Sequence, residues 1–231
     1  MDYAIIAAGE GSRLVREGIA TPKPLIRLQG TPLVDRLINV FLQNGASSIS
    51  IIVNGEMREV QSHLKMRQMP VPFHLTVRST PSSMHSFYEL SRHLTGDAVC
   101  LTTVDTVFRE DEFQRYIEAF RNDTHLDGMM AVTDFVDDEK PLYVLTRDDG
   151  MILDFSDAPQ EGCRCVSGGI YCLKRPAIDI LEKAVASGMS RMRNYQRRLV
   201  AEGLKLRAYN FSKIIDVDHA ADIGRAEEFL R

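Results

Sequence analysis

A stretch near the start of the chain carries the residue types that bind anions. Residues 1–25 read MDYAIIAAGEGSRLVREGIATPKPL, in which Gly9, Gly11, Arg13 and Lys23 follow a short apolar run. Glycine lets the backbone approach a ligand, and consecutive N–H groups form an anion-binding concavity. Arginine and lysine add charge-assisted hydrogen bonds that suit phosphates. This chemistry fits a triphosphate better than a neutral ligand, and Arg16 is the cation least expected to contact it.

The length of this loop favours a functional role. A Gly-x-Gly alone is equally compatible with an ordinary surface turn. The predicted loop, however, spans roughly twenty residues, whereas loops between a strand and a helix usually have about 2–6. Its end, Pro22-Lys23-Pro24, places a lysine between two residues of fixed φ.

Two common nucleotide-binding motifs are absent from the sequence. The dinucleotide pattern G-x-G-x-x-G requires a third glycine where this chain has Leu14, and it requires a helix within the motif. The first convincing helix is predicted only from about Thr31, with Thr31 as N-cap and Pro32 at the first helical position. The P-loop sequence G-K-[ST] does not occur.

The periodicity of the chain predicts alternating strands and helices in its first half. Repeated alternation of this kind indicates a mostly parallel sheet covered by helices on both faces. The second half is strand-like, and an Asp-Gly turn in TRDDGMIL predicts a hairpin. We predict strands at Tyr3–Ala8, Ser48–Asn54, Phe73–Arg78 and Asp97–Asp105, and helices at 31–45, Glu56–Met66, Ser82–Leu94, Glu110–Asn122, Ala177–Ala186 and Ser190–Glu202.

Composition limits the classes of partner. The chain has 28 Lys+Arg against 32 Asp+Glu, a net charge of -4, which gives no reason to expect broad binding to nucleic acid or to a membrane. Its four cysteines lack the spacing of a zinc site. With no signal peptide and no apolar run of membrane-spanning length, we expect a cytoplasmic protein. A homo-oligomer is compatible with this sequence.

The segment AAGEGSRLVREGIATPKPLIRLQGTPLV resembles a family signature: G-x-G-x-R, a spacer, P-K-P and a hydrophobic residue, then a turn and a helix. It is similar to the sugar nucleotidyltransferases and their NTP-transferase relatives, including the MobA-like ones, in the nucleotidyltransferase-A fold. The resemblance implies an α/β, Rossmann-like, mostly parallel sheet flanked by helices. It also implies one domain over 1–231, with a nucleotide-binding half at about 1–125 and a mixed-strand, acceptor-binding half at about 126–231.

The resemblance also assigns roles to residues of the loop. It implies that Arg13 holds the triphosphate and that Lys23 holds the phosphate at the reacting end, so both are predicted catalytic residues. The predicted nucleotide-binding residues of this loop are Ala7, Ala8, Gly9 and Gly11.

Carboxylates at strand ends are the predicted Mg²⁺ ligands, because nucleotidyl transfer usually requires a divalent metal held by one or two acids. Asp105 ends an otherwise uncharged strand, although a helix-start or turn role explains such an acid equally simply. Asp216 and Asp218, as an i, i+2 pair, face the same way in an extended segment. The alternative is that Asp218 caps the last helix; the spacing does not choose between the two acids, and we expect Asp222 to be structural.

The remaining predicted contacts concern the base and the acceptor. In the family, the stretch equivalent to STPSSMHSFYEL lines the base pocket, so Ser83 and Ser86 are candidates to bind the nucleotide; helix capping by Ser82 or Ser83 is the simpler explanation. VSGGIYCL resembles the strand beside the acceptor, which implies that the acceptor lies against Gly168 and Gly169.

The resemblance implies an enzyme that joins an NTP to a phosphorylated acceptor, with Mg²⁺ as cofactor, and releases pyrophosphate. The lysine that commonly holds a sugar phosphate in the family is missing here. The remaining candidates to hold an acceptor phosphate are Arg164, Arg193 and Lys213. The acceptor is therefore a sugar phosphate held differently or a small phospho-alcohol such as phosphocholine. Guanylylation of molybdopterin and a catalytically silent nucleotide sensor are the alternatives.

Overall fold

The structure is a computed structural model that describes residues 1–136 and 139–231. Within these residues the strands are β1 Asp2–Ala7, β2 Arg27–Leu28, β3 Thr31–Pro32, β4 Ser48–Val53, β5 Phe73–Val77, β6 Ala98–Thr103, β7 Thr106–Val107, β8 Gly128–Thr133, β9 Tyr143–Thr146, β10 Ile152–Ser156, β11 Cys165–Lys174, β12 Leu206–Asn210 and β13 Ile215–Asp216. The helices are α1 Ser12–Arg16, α2 Leu33–Gln43, α3 Arg58–Met66, α4 Ser83–Ser91, α5 Glu110–Asn122, α6 Arg175–Ala186, α7 Met192–Ala201 and α8 Ala220–Phe229.

One nine-stranded sheet organises the described residues. Strands β6, β1, β4 and β5 lie side by side and pair in parallel. Strand β11 adds antiparallel to β6 and leads into β8, β9 and β10, with β12 parallel to β8. The predicted α/β fold, with a mostly parallel first half and a mixed second half, is confirmed.

The sheet is covered by helices on both faces. Alternate residues of β1 point to opposite faces, so Tyr3 and Ile5 join one hydrophobic core while Ala4 and Ile6 join the other. The first core takes apolar residues from α2, α3 and α5, and the second takes them from α4, α6 and α7. Strands β1, β4 and β6 are buried on both faces, which explains their apolar sequences, whereas the edge strand β5 is only half-buried and reads FHLTV.

The start of the first helix differs from the prediction. A five-residue helix, α1, forms at Ser12–Arg16, directly after Gly11 in the left-handed conformation (φ 63°), and its Leu14 is buried. A short 3₁₀ turn follows at Lys23–Leu25. Thr31 and Pro32 pair with Arg27–Leu28 across a Gln29-Gly30 turn, so α2 begins at Leu33 and Thr31 does not cap it.

No helix among residues 1–136 and 139–231 is long and apolar enough to cross a membrane.

Asp2 ties together the amino ends of three parallel strands. Its carboxylate is 2% exposed and accepts hydrogen bonds from the hydroxyls of Ser47 and Ser48 and from the N–H groups of Thr95 and Gly96, at 2.7–2.9 Å. Burial opposes its ionisation, but the hydrogen bonds from Gly96 and the serines outweigh this effect and hold the pKa of Asp2 below its ordinary 3.8.

We therefore expect Asp2→Asn to lower the free energy of unfolding by about 1–3 kcal/mol at pH 7, because all four donors lose a charged acceptor and two of them face an NH2 group that cannot accept. A lowered folded-state pKa gives a stabilisation that is complete above pH 3.8 and is lost as the pH falls through the folded-state value. Urea titrations of both proteins from pH 7 to pH 3 measure this. Asp111→Asn, at an exposed acid, is the control, and an equal loss there would contradict the role of Asp2.

Candidate functional site

A cavity opens where the four parallel strands end. Strands β1, β4, β5 and β6 point to the same edge of the sheet, and the loops that follow them line a cavity of about 710 Å³. This is the edge where open α/β sheets bind ligands. Of the predicted residues, those that line it are Ala8, Gly9, Gly11, Lys23, Ser83, Ser86 and Asp105.

The glycine loop offers backbone donors to this cavity. The N–H groups of Gly9, Glu10 and Gly11 donate to no residue that the structure describes. Gly11 requires its positive φ, whereas Gly9 does not have one; a Cβ at Gly9 would meet no atom within 4 Å. The glycine at position 9 therefore keeps the wall open for close approach rather than allowing a special conformation.

Lys23, Asp105, Asp218 and Arg13 form a continuous chain of ion pairs, which Arg13 extends to Glu139 at 3.4 Å. Lys23 Nζ donates to Asp105 Oδ2 and to Asp218 Oδ1, each at 2.6 Å. Arg13 donates to the other oxygen of Asp218 at 2.7 Å. Burial alone would lower the pKa of Lys23, but the two carboxylates outweigh it and raise the pKa above its usual value. The lysine is therefore held as an ammonium ion between them.

This chain of ion pairs joins two cavities. Lys23 and Asp105 line the large cavity, whereas Arg13 and Asp218 line a smaller one of about 80 Å³. The two openings thus lie on either side of the same charged groups. Such an arrangement can bring two ligands to one reaction centre.

The residues present fit a divalent cation with an incomplete protein coordination shell. Two carboxylates, Asp105 and Asp218, already converge on one positive charge. No group of three or more His, Cys, Asp or Glu residues suited to a metal occurs in the described part of the chain. Two carboxylates with phosphate and water completing the shell is the usual arrangement for Mg²⁺.

The segment that leads into α8, residues 214–222, carries three acids with different contacts; it is called the closing segment below. Asp216 and Asp218 both line the small cavity, but only Asp218 contacts Lys23. Asp222 lies beneath them and accepts hydrogen bonds from the N–H groups of Asp218 and His219 at 2.9 and 2.7 Å. Asp222, rather than Asp218, thus accepts the hydrogen bonds from the N–H groups at the start of α8. This agrees with the structural role that the sequence predicts for Asp222.

Two other residues predicted to contact the nucleotide, Ala7 and Ser86, are buried. Ala7 is buried in the hydrophobic core and is not among the residues that line the cavity, whereas its neighbour Ala8 is. Ser86 lines the cavity but is 98% buried, and its hydroxyl pairs with that of Thr80 at 2.6 Å. Ser82 lies at the N-cap of α4, where its hydroxyl pairs with His85 instead of capping the helix.

The two glycines assigned to the acceptor have packing roles as well. A side chain at Gly168 would collide with Ile214, although Gly168 does line the small cavity. Gly169 has a φ of 74° and packs against Thr106, and it is not among the residues that line that cavity.

The cations considered for the acceptor phosphate lie outside the small cavity. Arg193 is paired with Asp157, and Lys213 lies 4.1 Å from the ring centre of Phe135. Arg164 lines a separate opening on the second half of the sheet.

One contact was not predicted from the sequence. Glu17, just after α1, receives a hydrogen bond from the Ala220 N–H and pairs with His219 Nδ1, both at 2.6 Å. The Ala220 N–H and His219 lower the pKa of Glu17, and the hydrogen bond to Glu17 raises the pKa of His219. This contact ties the loop that carries Arg13 to the segment that carries Asp218. The sequence around His219 indicates the start of the last helix, but it does not indicate that Glu17 contacts it.

The pattern of the MobA-like NTP transferase domain matches residues 3–197. The chain belongs to this family. The match includes the glycine loop, Lys23, Asp105 and the two glycines of β11, and it ends before the closing segment.

Curated relatives cover different parts of the chain. A 2-aminoethylphosphonate cytidylyltransferase of Lancefieldella rimae is 40% identical over 63 residues, which are 27% of this chain and 25% of that protein. The bifunctional protein GlmU of Methanococcus aeolicus is 24% identical over 217 residues, 90% of this chain and 50% of that protein. The chain thus spans half the length, or less, of these relatives.

The fold is shared with a solved structure. The inositol-1-phosphate CTP transferase from T. maritima superposes with a TM-score of 0.80 over 100% of this chain and 97% of that chain, at 17% identity. At this identity the likeness shows the fold.

Replacing Lys23 with methionine should make the protein bind Mg²⁺ more strongly in the absence of nucleotide, because Asp105 and Asp218 lose the ammonium that neutralises them. We expect Mg²⁺ to raise the melting temperature of Lys23→Met more than that of the wild type. Each 1 kcal/mol of added binding corresponds to roughly 2–4 °C at this chain length. Thermal melts in MgCl2 and in NaCl of equal ionic strength measure this. Lys65→Met, at an exposed lysine, is the control, and equal shifts in all three proteins would refute the proposed cation site.

Proposed function

We propose that the chain is a nucleotidyltransferase, which transfers a nucleotidyl group from an NTP to the phosphate or phosphonate of a small acceptor and releases pyrophosphate. The NTP occupies the large cavity and the acceptor enters through the small one. The halves at about 1–125 and 126–231 then correspond to nucleotide and acceptor binding.

The observation that carries this proposal is the chain of ion pairs between the two cavities. The N–H groups of Gly9–Gly11, which donate to none of the described residues, line the nucleotide side together with Lys23, and Arg13 lines the acceptor side. Backbone donors and fixed cations at one edge of a parallel sheet suit a polyphosphate. A reaction between two phosphorylated molecules requires positive charge where they meet, because both are anions.

The reaction requires no covalent enzyme intermediate. An acceptor oxygen, already anionic, attacks the α-phosphorus in line and forms a new P–O bond. The bond from the α-phosphorus to the oxygen that bridges to the β-phosphorus breaks, and pyrophosphate leaves with that electron pair. The protein's part is to hold the reactants in line and to stabilise the charge that develops. We assign this stabilisation to Lys23 at the α-phosphate and to Arg13.

Asp105 and Asp218 would hold Mg²⁺, with Asp216 as a further candidate. An ion held by these carboxylates would supply positive charge to offset the charge that develops on the departing pyrophosphate. For these carboxylates to bind the ion, the Lys23 ammonium must leave them and pair with phosphate oxygens of the NTP instead. Phosphate oxygens are equally good acceptors for an ammonium group. The tie between Glu17 and Ala220 keeps Arg13 close to Asp218 during this exchange.

The acceptor class is supported by the names of relatives. One is named for a phosphonate and another for inositol 1-phosphate. The small cavity, at about 80 Å³, suits a compact acceptor. We therefore extend the expected acceptors from sugar 1-phosphates and phospho-alcohols such as phosphocholine to small phosphonates.

Pyrophosphate release is the direct test of this function. The protein is incubated with each NTP, Mg²⁺ and a panel containing glucose 1-phosphate, inositol 1-phosphate, phosphocholine, 2-aminoethylphosphonate and molybdopterin. With the best pair, Lys23→Ala and Asp105→Ala should each lower kcat/KM by roughly 100-fold or more, because each removes a charge that acts on the transition state. Arg13→Ala should do the same.

Arg16→Ala is the matched control for Arg13→Ala. Arg16 lies three residues away on α1, and its one hydrogen bond among residues 1–136 and 139–231 is to the backbone carbonyl of Ser12, so its loss should change kcat/KM by less than about twofold. Undiminished turnover in Lys23→Ala or Asp105→Ala would refute the assigned roles. Tight NTP binding with no turnover on any acceptor would instead favour a nucleotide sensor.

A further inference from the structure

A single buried amide holds the end of strand β1 from the side. Asn54, the residue after β4, is 6% exposed, and its Nδ2 donates to the carbonyl of Ala8 at 3.2 Å. The ladder between β1 and β4 ends one residue earlier, at the Ala7–Val53 pair. The amide thus adds one more hydrogen bond between the two strands, at the point where the glycine loop begins.

The orientation of this amide is fixed by its other partners. Its Oδ1 accepts hydrogen bonds from the N–H groups of Glu56 and Met57 at 3.0 and 3.1 Å. A backbone N–H can only donate, so the oxygen of Asn54 must face the loop after β4 and its NH2 group must face Ala8. The Ala8 carbonyl accepts from no backbone N–H of residues 1–136 and 139–231. The amide of Asn54 is therefore what holds it.

The Ala8 carbonyl shares a rigid plane with the first donor of the glycine loop. No cis peptide bond occurs in the described parts of the chain, so the C=O and the N–H of the Ala8–Gly9 peptide point in opposite directions. Because the carbonyl is directed to Asn54, the Gly9 N–H is directed away from it. That N–H donates to none of the described residues, and Gly9 lines the large cavity. The N–H is thus left for a ligand there.

Glycine at position 9 makes this orientation easy to lose. Turning the peptide plane over would change the φ of Gly9 by about 180°, from its present range to positive values that glycine tolerates almost equally well. The reversed plane would present the Ala8 carbonyl where the N–H now lies. A carbonyl oxygen repels phosphate oxygens, since both carry negative charge and neither can donate. The hydrogen bond from Asn54 opposes this reversal.

We propose that Asn54 is a positioning residue of the polyphosphate site, which holds the Ala8–Gly9 peptide so that the Gly9 N–H faces the phosphate chain. This inference rests on the proposed function, because it requires that the triphosphate of an NTP lies along the glycine loop. Asn54 acts through the Ala8 carbonyl and not by contact with the nucleotide. An amide suits this role because it accepts from one loop and donates to another at the same time.

Binding of inorganic tripolyphosphate tests the proposal, because this probe has the phosphate chain of an NTP without the base or the ribose. Its dissociation constant is measured by calorimetry in the presence of Mg²⁺. Asn54→Ser removes the amide donor and keeps an oxygen that can accept in the loop after β4, as serine does in turns. The dissociation constant should rise roughly tenfold or more, because a hydrogen bond to a charged group is lost. Asn54→Asp, which keeps the shape and the accepting oxygen, serves if Asn54→Ser fails to fold.

A double-mutant cycle with Gly9→Ala tests the peptide plane itself. A Cβ at position 9 meets no protein atom within 4 Å, and the present φ is open to alanine, whereas the reversed plane requires a positive φ. The methyl group narrows the approach of the ligand, so only the effect of Asn54→Ser is compared between the two backgrounds. In Gly9→Ala this effect should shrink to roughly threefold or less, because alanine resists the reversal. Equal fold-changes in both backgrounds would overturn the inference.

Gln61→Ala is the matched control. Gln61 Nε2 donates to the carbonyls of Asn54 and Gly55 at 3.1 and 3.0 Å, so it holds the same loop, but none of its hydrogen bonds within the described residues reaches Ala8. Its loss should change the dissociation constant of tripolyphosphate by less than about twofold. An equal loss of binding in Gln61→Ala, or unchanged binding in the Asn54 variant that folds, would overturn the inference while leaving the proposed function intact. Failure of the wild type to bind tripolyphosphate would remove both.

Discussion

The position of one ammonium group fixes the geometry of the candidate site. Two carboxylates, Asp105 and Asp218, converge on Lys23, whose side chain is only 9% exposed. Carboxylates repel each other at this separation unless a cation lies between them, and burial strengthens both the repulsion and the attraction. Lys23 therefore makes the convergence possible. The same charge balance is what a divalent ion and a phosphate chain would have to reproduce when they enter.

The partners of Lys23 come from distant parts of the chain, 82 and 195 residues away in sequence. The sheet brings them together in two steps. Parallel pairing sends the ends of β1 and β6 to one edge, which places the glycine loop beside Asp105. The short β13 pairs with β7, and the Val217 N–H donates to the Asp105 carbonyl at 3.1 Å, which places Asp218 beside them. Val217, which lies between Asp216 and Asp218 in the sequence, is fully buried and anchors the closing segment.

The sequence was sufficient for features with a local or periodic signal. Apolar periodicity predicts the parallel strands and their helices, and the strand ends then place Lys23 and Asp105 near one edge. Asp216 and Asp218 could not be separated, because an i, i+2 spacing gives both the same side and only the reach to Lys23 distinguishes them. The pairing of Glu17 with His219 joins residues 202 apart, and no spacing rule relates them. The burial of Ala7, by contrast, follows from strand alternation, which groups it with Tyr3 and Ile5 in the core.

The glycines of β11 show how a ligand signature and a packing requirement can coincide. Gly168 leaves room for Ile214, which lies next to β13, and Gly169 takes a positive φ where β11 shifts register against β8 and packs on Thr106 of β7. Both glycines thus allow the two-stranded β7–β13 unit to press against the sheet. That unit carries Asp216 and leads directly into Asp218. A side chain at position 168 would collide with the Cδ1 atom of Ile214, which would then have to repack beside this unit. These glycines therefore help to position Asp218 by allowing β7 and β13 to pack closely on β11. This role does not depend on whether an acceptor also lies against them.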